Sequence, residues 1–254
     1  MIRRVGFKTM LMYDDIFNDR TLNIFTDASM TKNEGETIGC YGIKTITTNE
    51  EIADTIFPEQ DYICYLGIAR HSTNNDSELR GILRGVFFAL EFREYFKTIN
   101  LFSDSMISIM GLKVWLNNWV RNIKNGIMYS TSGEVMNQEL IKDIVFTILN
   151  NNLNINLYHQ KGHVNSKNIE HAKHTFIVSN KLDCDVDMKL IETISNFNDI
   201  IDRTTRLYLE EYMNNLYQND KKNKLSRAIC FDIDQFDLKK YNKLIGGNRN
   251  VGRE

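Results

Sequence analysis

Four acidic side chains stand where predicted strands end or predicted helices begin: Asp27, Glu78, Asp104 and Asp202. Each lies in its own short motif, namely TDAS, TNNDSEL, FSDS and NDIIDRTTR. Carboxylate oxygens are the hard ligands that magnesium prefers, and a cation held by several of them assists phosphodiester hydrolysis. Crowded carboxylates repel one another unless a cation compensates. The four acids therefore predict a metal site with phosphodiester chemistry, if the fold brings them together.

The elements that must position these acids follow from hydrophobic patterns. Alternating β-forming residues predict three antiparallel strands, at 22–29, 38–45 and 62–71. The spacing then changes to that of a helix over 77–97, with Ser77 as the expected N-cap. The later predicted elements are a strand at 99–104, helices at 106–121 and 137–150, and a strand at 155–160. This order predicts an α/β fold, in which parallel strands extend a three-stranded meander and helices pack on the faces.

The C-terminal third departs from this alternation. Helical spacing at 166–179 and 183–195 predicts an inserted helical hairpin within 164–197, and a further helix at 199–216 carries Asp202. We therefore expect one catalytic domain over 1–217 and a peripheral tail over 218–254.

Composition excludes several classes of protein. The chain has 254 residues and a formal net charge of -2, so it does not grip nucleic acid by bulk positive charge. No apolar stretch approaches the ~20 residues that span a bilayer, which predicts no membrane partner. The four cysteines form no CxxC pair, and no secretory signal is recognisable. We expect reduced thiols and a cytoplasmic location, in a bacterium or a phage-infected cell.

In chain order, TDAS, TNNDSEL, FSDS followed by GLKVWLNNW, KGH and NDIIDRTTR resemble type 1 ribonuclease H, over Leu22 to Leu209. The resemblance implies a ribonuclease H-like mixed five-stranded sheet flanked by helices. It also implies an endonuclease that hydrolyses the RNA strand of RNA·DNA hybrids and leaves 5′-phosphate and 3′-hydroxyl ends. The implied cofactor is a pair of Mg²⁺ ions, for which Mn²⁺ substitutes, and replication proteins are possible partners.

Carried over residue by residue, the resemblance makes the four acids the metal ligands. It makes His163 of KGH a mobile histidine that assists proton movement or product release. Arg121 and Lys124 offer a local basic patch. The implied substrate contacts are Asn74, Asn75, Ser29, Ser105, Trp115, Trp119 and Lys161.

Several alternatives stay open. Asp187 competes with Asp202 as the fourth acid, because the predicted insertion separates KGH from the last motif. Asp202 is preferred, because Asn198 and Asp202 keep the family's NxxxD spacing. Trp115 and Trp119 also fit simple packing of a helix on the core. Zinc is disfavoured because the histidines near Cys184 follow no recognisable ligand spacing. The rival functions are a junction resolvase or exonuclease of the same fold, and a non-catalytic nucleic-acid or replication-partner module.

Overall fold

The computed structural model describes residues 10–33, 35–50, 52–53, 64–217 and 228–230. Its strands are β1 (Met10–Leu11), β2 (Thr21–Asn33), β3 (Glu36–Ile46), β4 (Cys64–Arg70), β5 (Thr98–Ser103), β6 (Ile123–Lys124), β7 (Ile127–Ser130), β8 (Gly133–Glu134), β9 (Ile155–His159), β10 (Asp185–Val186) and β11 (Ala228–Cys230). Its helices are α1 (Tyr13–Ile16), α2 (Asn74–Glu91), α3 (Met106–Met110), a π-helical segment (Gly111–Trp115), α4 (Leu116–Arg121), α5 (Gln138–Asn150), α6 (Ile169–Asn180) and α7 (Met188–Tyr217).

The central sheet has the order β11-β4-β3-β2-β5-β9. Strands β2, β3 and β4 pair antiparallel, whereas β5 joins β2 and β9 joins β5 in parallel. The predicted mixed five-stranded sheet is thus confirmed, and its strands lie in the order β4-β3-β2-β5-β9. In the register, Thr26 pairs with Ser103, so the residues that follow them, Asp27 and Asp104, lie side by side.

Helices cover both faces of the sheet, because β2 sends alternate side chains to opposite sides. Leu22 and Ile24 belong to the cluster that includes α2 and α5, and Phe25 belongs to the cluster that includes α6 and α7. Helix α2 lies close to the sheet: a β-carbon on Gly81 would be 2.3 Å from Thr26 Oγ1. This close approach fixes the position of the acidic residue one turn earlier on α2.

Helix α7 corrects one prediction. The helices predicted at 183–195 and 199–216 are a single helix, Met188–Tyr217, whereas the helix predicted at 166–179 corresponds to α6. No Gly or Pro interrupts α7, and Leu190, Ile194 and Ile201 on it are buried, so packing carries the helix through the asparagine-rich segment. That residues 164–197 are an insertion stays a prediction.

The start of α2 is a second correction. The N-cap is Thr73, whose Oγ1 accepts a hydrogen bond from Asp76 N at 3.2 Å, and not Ser77 as predicted. Ser77 is fully buried and its Oγ lies 2.7 Å from Ser72 Oγ. The hydrophobic pattern missed this first turn because its side chains are polar, although a capping threonine stands in front of it.

The segment after β5 and the predicted tail contain structure that the sequence analysis did not predict. The helix predicted at 106–121 contains a π-helical segment, and the connection after it forms a small antiparallel sheet, β6-β7-β8, that was not predicted. Strand β11 pairs in parallel with β4 inside the predicted tail, and the rest of 218–254 lies outside the described residues. None of the described helices is both long and apolar enough to span a membrane.

Candidate metal centre

Three of the predicted acids meet at the centre of the sheet. One carboxylate oxygen from each of Asp27, Glu78 and Asp104 lies within 4.8 Å of the other two. Asp27 lies within β2, Asp104 directly follows β5, and Glu78 projects from α2 one turn after its start. Residues far apart in the sequence are thus brought into a single group by the parallel pairing of β2 with β5 and by the close packing of α2.

Burial makes this group a strong candidate for a cation site. Burial raises the pKa of Asp27 to about 8, and the charge of Asp104 adds to the effect. Burial, then the charges of Asp27 and Asp104, raises the pKa of Glu78 well above its usual value. Among the described residues nothing donates a hydrogen bond to the buried Oε2 of Glu78. A divalent cation would satisfy this acceptor and neutralise the crowded charges, so the residues fit the metal that the family resemblance implies.

Asn198 of α7 holds the Asp104 carboxylate. Burial raises the pKa of Asp104, and a hydrogen bond from the Asn198 side chain opposes that rise. The amide of Asn198 is itself fixed, because Gln160 Nε2 donates to its Oδ1 at 2.5 Å. The asparagine of the NxxxD spacing therefore orients one of the three acids.

Asp202 lies beside the triad on α7. Its charge contributes to raising the pKa of both Asp27 and Asp104, in each case behind burial. Arg206 Nη1 lies 3.9 Å from Asp202 Oδ2, which leaves the carboxylate only loosely paired. Asp202 also lines an open cleft of about 320 Å³, whose walls are His163, Val164, Asn165, Asp199, Asp202, Arg203 and Arg206.

Asp199 was not singled out from the sequence, although it stands within NDIIDRTTR. It lines the same cleft as Asp202, and its charge also contributes to the raised pKa of Asp27, where burial is the largest cause. Asp199 and Asp202 are i and i+3 on one helix, so they share a helix face. This i, i+3 spacing is the sequence signal that could have identified Asp199 as a neighbour of Asp202.

Asp187 lies elsewhere. It immediately precedes α7, where its Oδ1 accepts a hydrogen bond from Lys189 N at 3.2 Å. A helix rises 1.5 Å per residue, so Asp187 and Asp202 are roughly 22 Å apart along the axis of α7. The structure brings Asp202, and not Asp187, toward Asp27 and Asp104.

The KGH motif forms the loop after β9 and borders the triad. Gly162 lies against the Asp104 carboxylate, and His163 is exposed at the cleft with a left-handed φ of 52°. The carbonyl of His163 accepts a hydrogen bond from Asn168 Nδ2 at 3.2 Å, which supports this conformation. Lys161 is half-buried. The loop thus presents an accessible imidazole next to the acids.

The predicted substrate contacts at the ends of α2 and β5 form a hydrogen-bonded chain. Ser105 Oγ donates to Ser108 Oγ at 2.8 Å, and Ser108 Oγ donates to Asn75 Oδ1 at 3.2 Å. Asn74 is exposed beside them. Ser29 Oγ lies 3.0 Å from Thr205 Oγ1 of α7. Asn75 and Ser105 therefore share one polar surface, whereas Ser29 contacts the C-terminal helix.

The tryptophans differ in exposure. Trp115 is 38% exposed, whereas Trp119 is half-buried and packs against the core; their ring centroids are 5.9 Å apart. A β-carbon on Gly111 would lie 3.1 Å from Trp119 Cη2, so that ring fills the space over the glycine. The packing interpretation therefore holds for Trp119, and Trp115 is the ring that a ligand can reach. Arg121, in the predicted basic patch, is exposed.

Comparison with solved structures finds distant similarities at low sequence identity. LC9-RNase H1, described as a type 1 RNase H with the type 2 active-site motif, is 20% identical with a TM-score of 0.41, over 65% of this chain and 74% of that one. LC11-RNase H1 in complex with RNA/DNA hybrid is 14% identical with a TM-score of 0.37, over 55% and 85%. The foamy viral protease-reverse transcriptase in complex with RNA/DNA hybrid is 13% identical with a TM-score of 0.43, over 69% and 20%.

No curated protein sequence matches the chain. The family model for RNase H matches residues 19–174, which include β2 to β5, the three clustered acids and the KGH loop. The match covers more than half of the 254 residues. The chain therefore belongs to the RNase H family.

Proposed function

We propose that this protein is a metal-dependent endonuclease that hydrolyses the RNA strand of RNA·DNA hybrids and leaves 5′-phosphate and 3′-hydroxyl ends. The observation that carries the proposal is the buried triad of Asp27, Glu78 and Asp104 in a member of the RNase H family. Three converging carboxylates at the centre of a rigid sheet are unfavourable without a cation, and the fold nevertheless brings them together.

The triad would hold two Mg²⁺ ions, or Mn²⁺ in their place, with Asp202 reaching in from α7. The unpartnered Oε2 of Glu78 and the raised pKa values of Asp27 and Asp104, of which burial is the largest cause, support this assignment, because a bound cation would stabilise the charged forms that burial disfavours. When bound, the ions activate the attacking water and stabilise the leaving 3′-oxygen. Asn198 would keep the Asp104 carboxylate ionised and oriented, since its amide donates to the charged form.

The remaining residues would bind the hybrid and move a proton. His163 is exposed at the cleft beside Asp202, where its imidazole would transfer a proton as a general acid or base. Asn74 and Asn75 would contact base edges and 2′-hydroxyls, which distinguish RNA from DNA. Trp115 would pack against the DNA strand, as an exposed ring. Ser29, Ser105 and Lys161 would contact the backbone next to the acids.

The experiment offers five substrates in Mg²⁺ to the full chain: a labelled RNA·DNA hybrid, single-stranded RNA, double-stranded RNA, duplex DNA and a four-way junction. We expect internal cleavage of the RNA strand of the hybrid, with ends that a ligase-based assay identifies as 5′-phosphate. Cleavage of the junction, or trimming from 3′ ends alone, would instead favour a resolvase or an exonuclease. Tight hybrid binding without cleavage of any substrate would favour the non-catalytic module.

A further inference from the structure

Gln160 is a fully buried polar residue that the sequence analysis did not single out. It follows the last residue of β9, directly precedes the KGH motif and is 1% exposed. Its backbone N donates to Ser103 O at 3.0 Å, so it extends the pairing of β9 with β5 by one step. Ser103 is the residue before Asp104. The backbone of Gln160 is therefore fixed next to the strand end that presents Asp104.

Helix α6 secures the other side of the same strand end. Strand β9 is the last strand of the central sheet, and an amide side chain takes the place of a further strand beside its final residue. Asn180 Nδ2 donates to His159 O at 2.7 Å, and Asn180 Oδ1 accepts from His159 N at 2.9 Å. Asn180 Nδ2 also donates to Phe176 O within α6 at 2.9 Å. The strand end from which Gln160 extends is thus hydrogen-bonded on both sides.

The side chain of Gln160 reaches across to helix α7. Its Nε2 donates to Asn198 Oδ1 at 2.5 Å, and Asn198 is 2% exposed. Asn198 and Asp202 are i and i+4 on α7, so they lie on one face of the helix, about one turn apart. The hydrogen bond to Asn198 therefore fixes the position of Asp202 relative to the end of β9.

A second polar contact lies on the other side of Asp202 along α7. Thr205 is fully buried, its Oγ1 donates to Asp202 O at 2.9 Å, and the same Oγ1 lies 3.0 Å from Ser29 Oγ of β2. Ser29 is two residues after Asp27, and alternate side chains of a strand point to the same face of the sheet. The part of α7 that carries Asp202 is thus hydrogen-bonded to the sheet before and after that residue.

Apolar packing by itself does not fix α7 along the sheet. Burial of residues such as Ile194 and Ile201 is favourable wherever they meet the sheet, because the hydrophobic effect has no direction. A helix displaced by one turn would carry Asp202 about 5.4 Å along its axis. A buried hydrogen bond forms only at one distance, and it is unfavourable to leave Gln160 Nε2 or Asn198 Oδ1 without a partner.

We propose that Gln160 is a positioning residue for Asp202 and that it acts through Asn198. It holds α7 where Asp202 faces the triad. This inference rests on the proposed function, because it gives Gln160 a role in a metal site that Asp202 would complete. The backbone of Gln160 follows β5 and its side chain follows α7, so the two elements that present Asp104 and Asp202 keep one relative position.

The test is a double-mutant cycle on Mn²⁺ affinity, measured in the full chain by isothermal titration calorimetry. Gln160→Met keeps the length of the side chain and removes its N–H donor. It should weaken Mn²⁺ affinity by about 10-fold, because losing the support behind a metal ligand costs about 10–100-fold. In the Asp202→Asn background the same substitution should weaken Mn²⁺ affinity by less than about 2-fold, since the carboxylate that Gln160 positions is already gone.

Gln138→Met is the matched control. Gln138 is 7% exposed, its Oε1 accepts from Met128 N at 2.8 Å, and its Nε2 donates to Glu134 Oε1 at 2.8 Å. Neither partner belongs to the metal site, so Gln138→Met should lower the melting temperature and leave Mn²⁺ affinity unchanged. If Gln160→Met does not fold, Gln160→Asn replaces it in the cycle, because the shorter amide keeps a polar group and does not reach Asn198.

The inference is overturned if the folded Gln160 variant binds Mn²⁺ like the wild type. It is also overturned if the substitution weakens Mn²⁺ affinity equally with and without the Asp202 carboxylate, because Gln160 would then act on the triad and not through Asp202. A wild type that binds Mn²⁺ but cleaves no hybrid contradicts the proposed nuclease, and the cycle still decides the role of Gln160. Absence of Mn²⁺ binding by the wild type would contradict both.

Discussion

Gly162 and Asp104 are in direct contact: a β-carbon at position 162 would lie 2.3 Å from Asp104 Oδ2. A separation under 3 Å cannot be kept, and the atom in the way belongs to a predicted metal ligand. The KGH loop thus forms one wall of the metal site, and a glycine is required there by the space that the carboxylate occupies.

Gly162→Ala should lower kcat about 100-fold, because displacing a reacting group by about 1 Å costs that much. Stability should change little, since the loop is half-buried or exposed. Single-turnover cleavage of a hybrid, with thermal unfolding alongside, measures both effects. Ser166→Ala, in the exposed part of the same loop, is the control. Full activity of Gly162→Ala would mean that Asp104 takes another position in the working enzyme.

The fourth acid is tested by comparing Asp202→Asn, Asp199→Asn and Asp187→Asn. Asp202→Asn should abolish Mg²⁺-dependent cleavage, because it removes the carboxylate that α7 brings to the triad. Asp199→Asn should have a smaller effect, since its charge acts on Asp27 more weakly than that of Asp202. Asp187→Asn should stay active. An inactive, folded Asp187→Asn beside an active Asp202→Asn would reverse the assignment.

The metal-free protein should lose stability as the pH rises. Asp27 has its pKa raised from 3.8 to about 8 by burial and by neighbouring acids, so its ionised form is disfavoured in the folded state. Its favourable contribution to the free energy of unfolding is greatest below pH 3.8 and is lost as the pH rises through about 8. This single carboxyl group lowers the free energy of unfolding by at most about 1.4 kcal/mol for each pH unit. Glu78 and Asp104, whose pKa values are also raised, act in the same direction.

Melting temperatures in EDTA between pH 5 and pH 8 check this, and Mg²⁺ should restore the lost stability at the upper end. Asp27→Asn should raise the melting temperature of the metal-free protein at pH 8 while abolishing cleavage. Asp14→Asn, at an exposed position, is the control. A metal-free protein whose stability does not change across this range would contradict the uncompensated charge inferred for the triad.

The two tryptophans should separate stability from binding. Trp119→Ala should cost about 3 kcal/mol of unfolding free energy, because the ring packs on the core and over Gly111. Trp115→Ala should leave stability nearly unchanged and weaken hybrid binding by about 1–3 kcal/mol, since the exposed ring is free to pack on a base or sugar. Urea denaturation and hybrid titration in EDTA measure the two quantities. Equal effects of both substitutions on both quantities would contradict this division.

The sheet and the acidic triad were predictable because both have local signals. Strand alternation placed β2 to β5, and Asp27 and Asp104 lie within or directly after strands whose parallel pairing is a property of the fold class. The small sheet β6-β7-β8 was missed because strands of two to four residues have too few positions to alternate.

Other parts of the site depend on contacts between distant residues. Asn180 and His159 are 21 positions apart, and neither lies in a motif that reveals the pairing of an amide with an edge strand. The continuity of α7 depends on burial of residues such as Ile194 and Ile201 against the sheet. That burial outweighs the weak helix propensity of the asparagines between them, and it carries Asp202 to the triad.

The most direct test of the central claim is to soak crystals with Mn²⁺ and locate the ions by anomalous scattering. We expect two ions about 4 Å apart. Asp27, Glu78 and Asp104 should bind them, with Asp202 completing one coordination shell. An absence of ions at the triad, in crystals where Mn²⁺ binds elsewhere or not at all, would contradict the proposed metal-dependent nuclease.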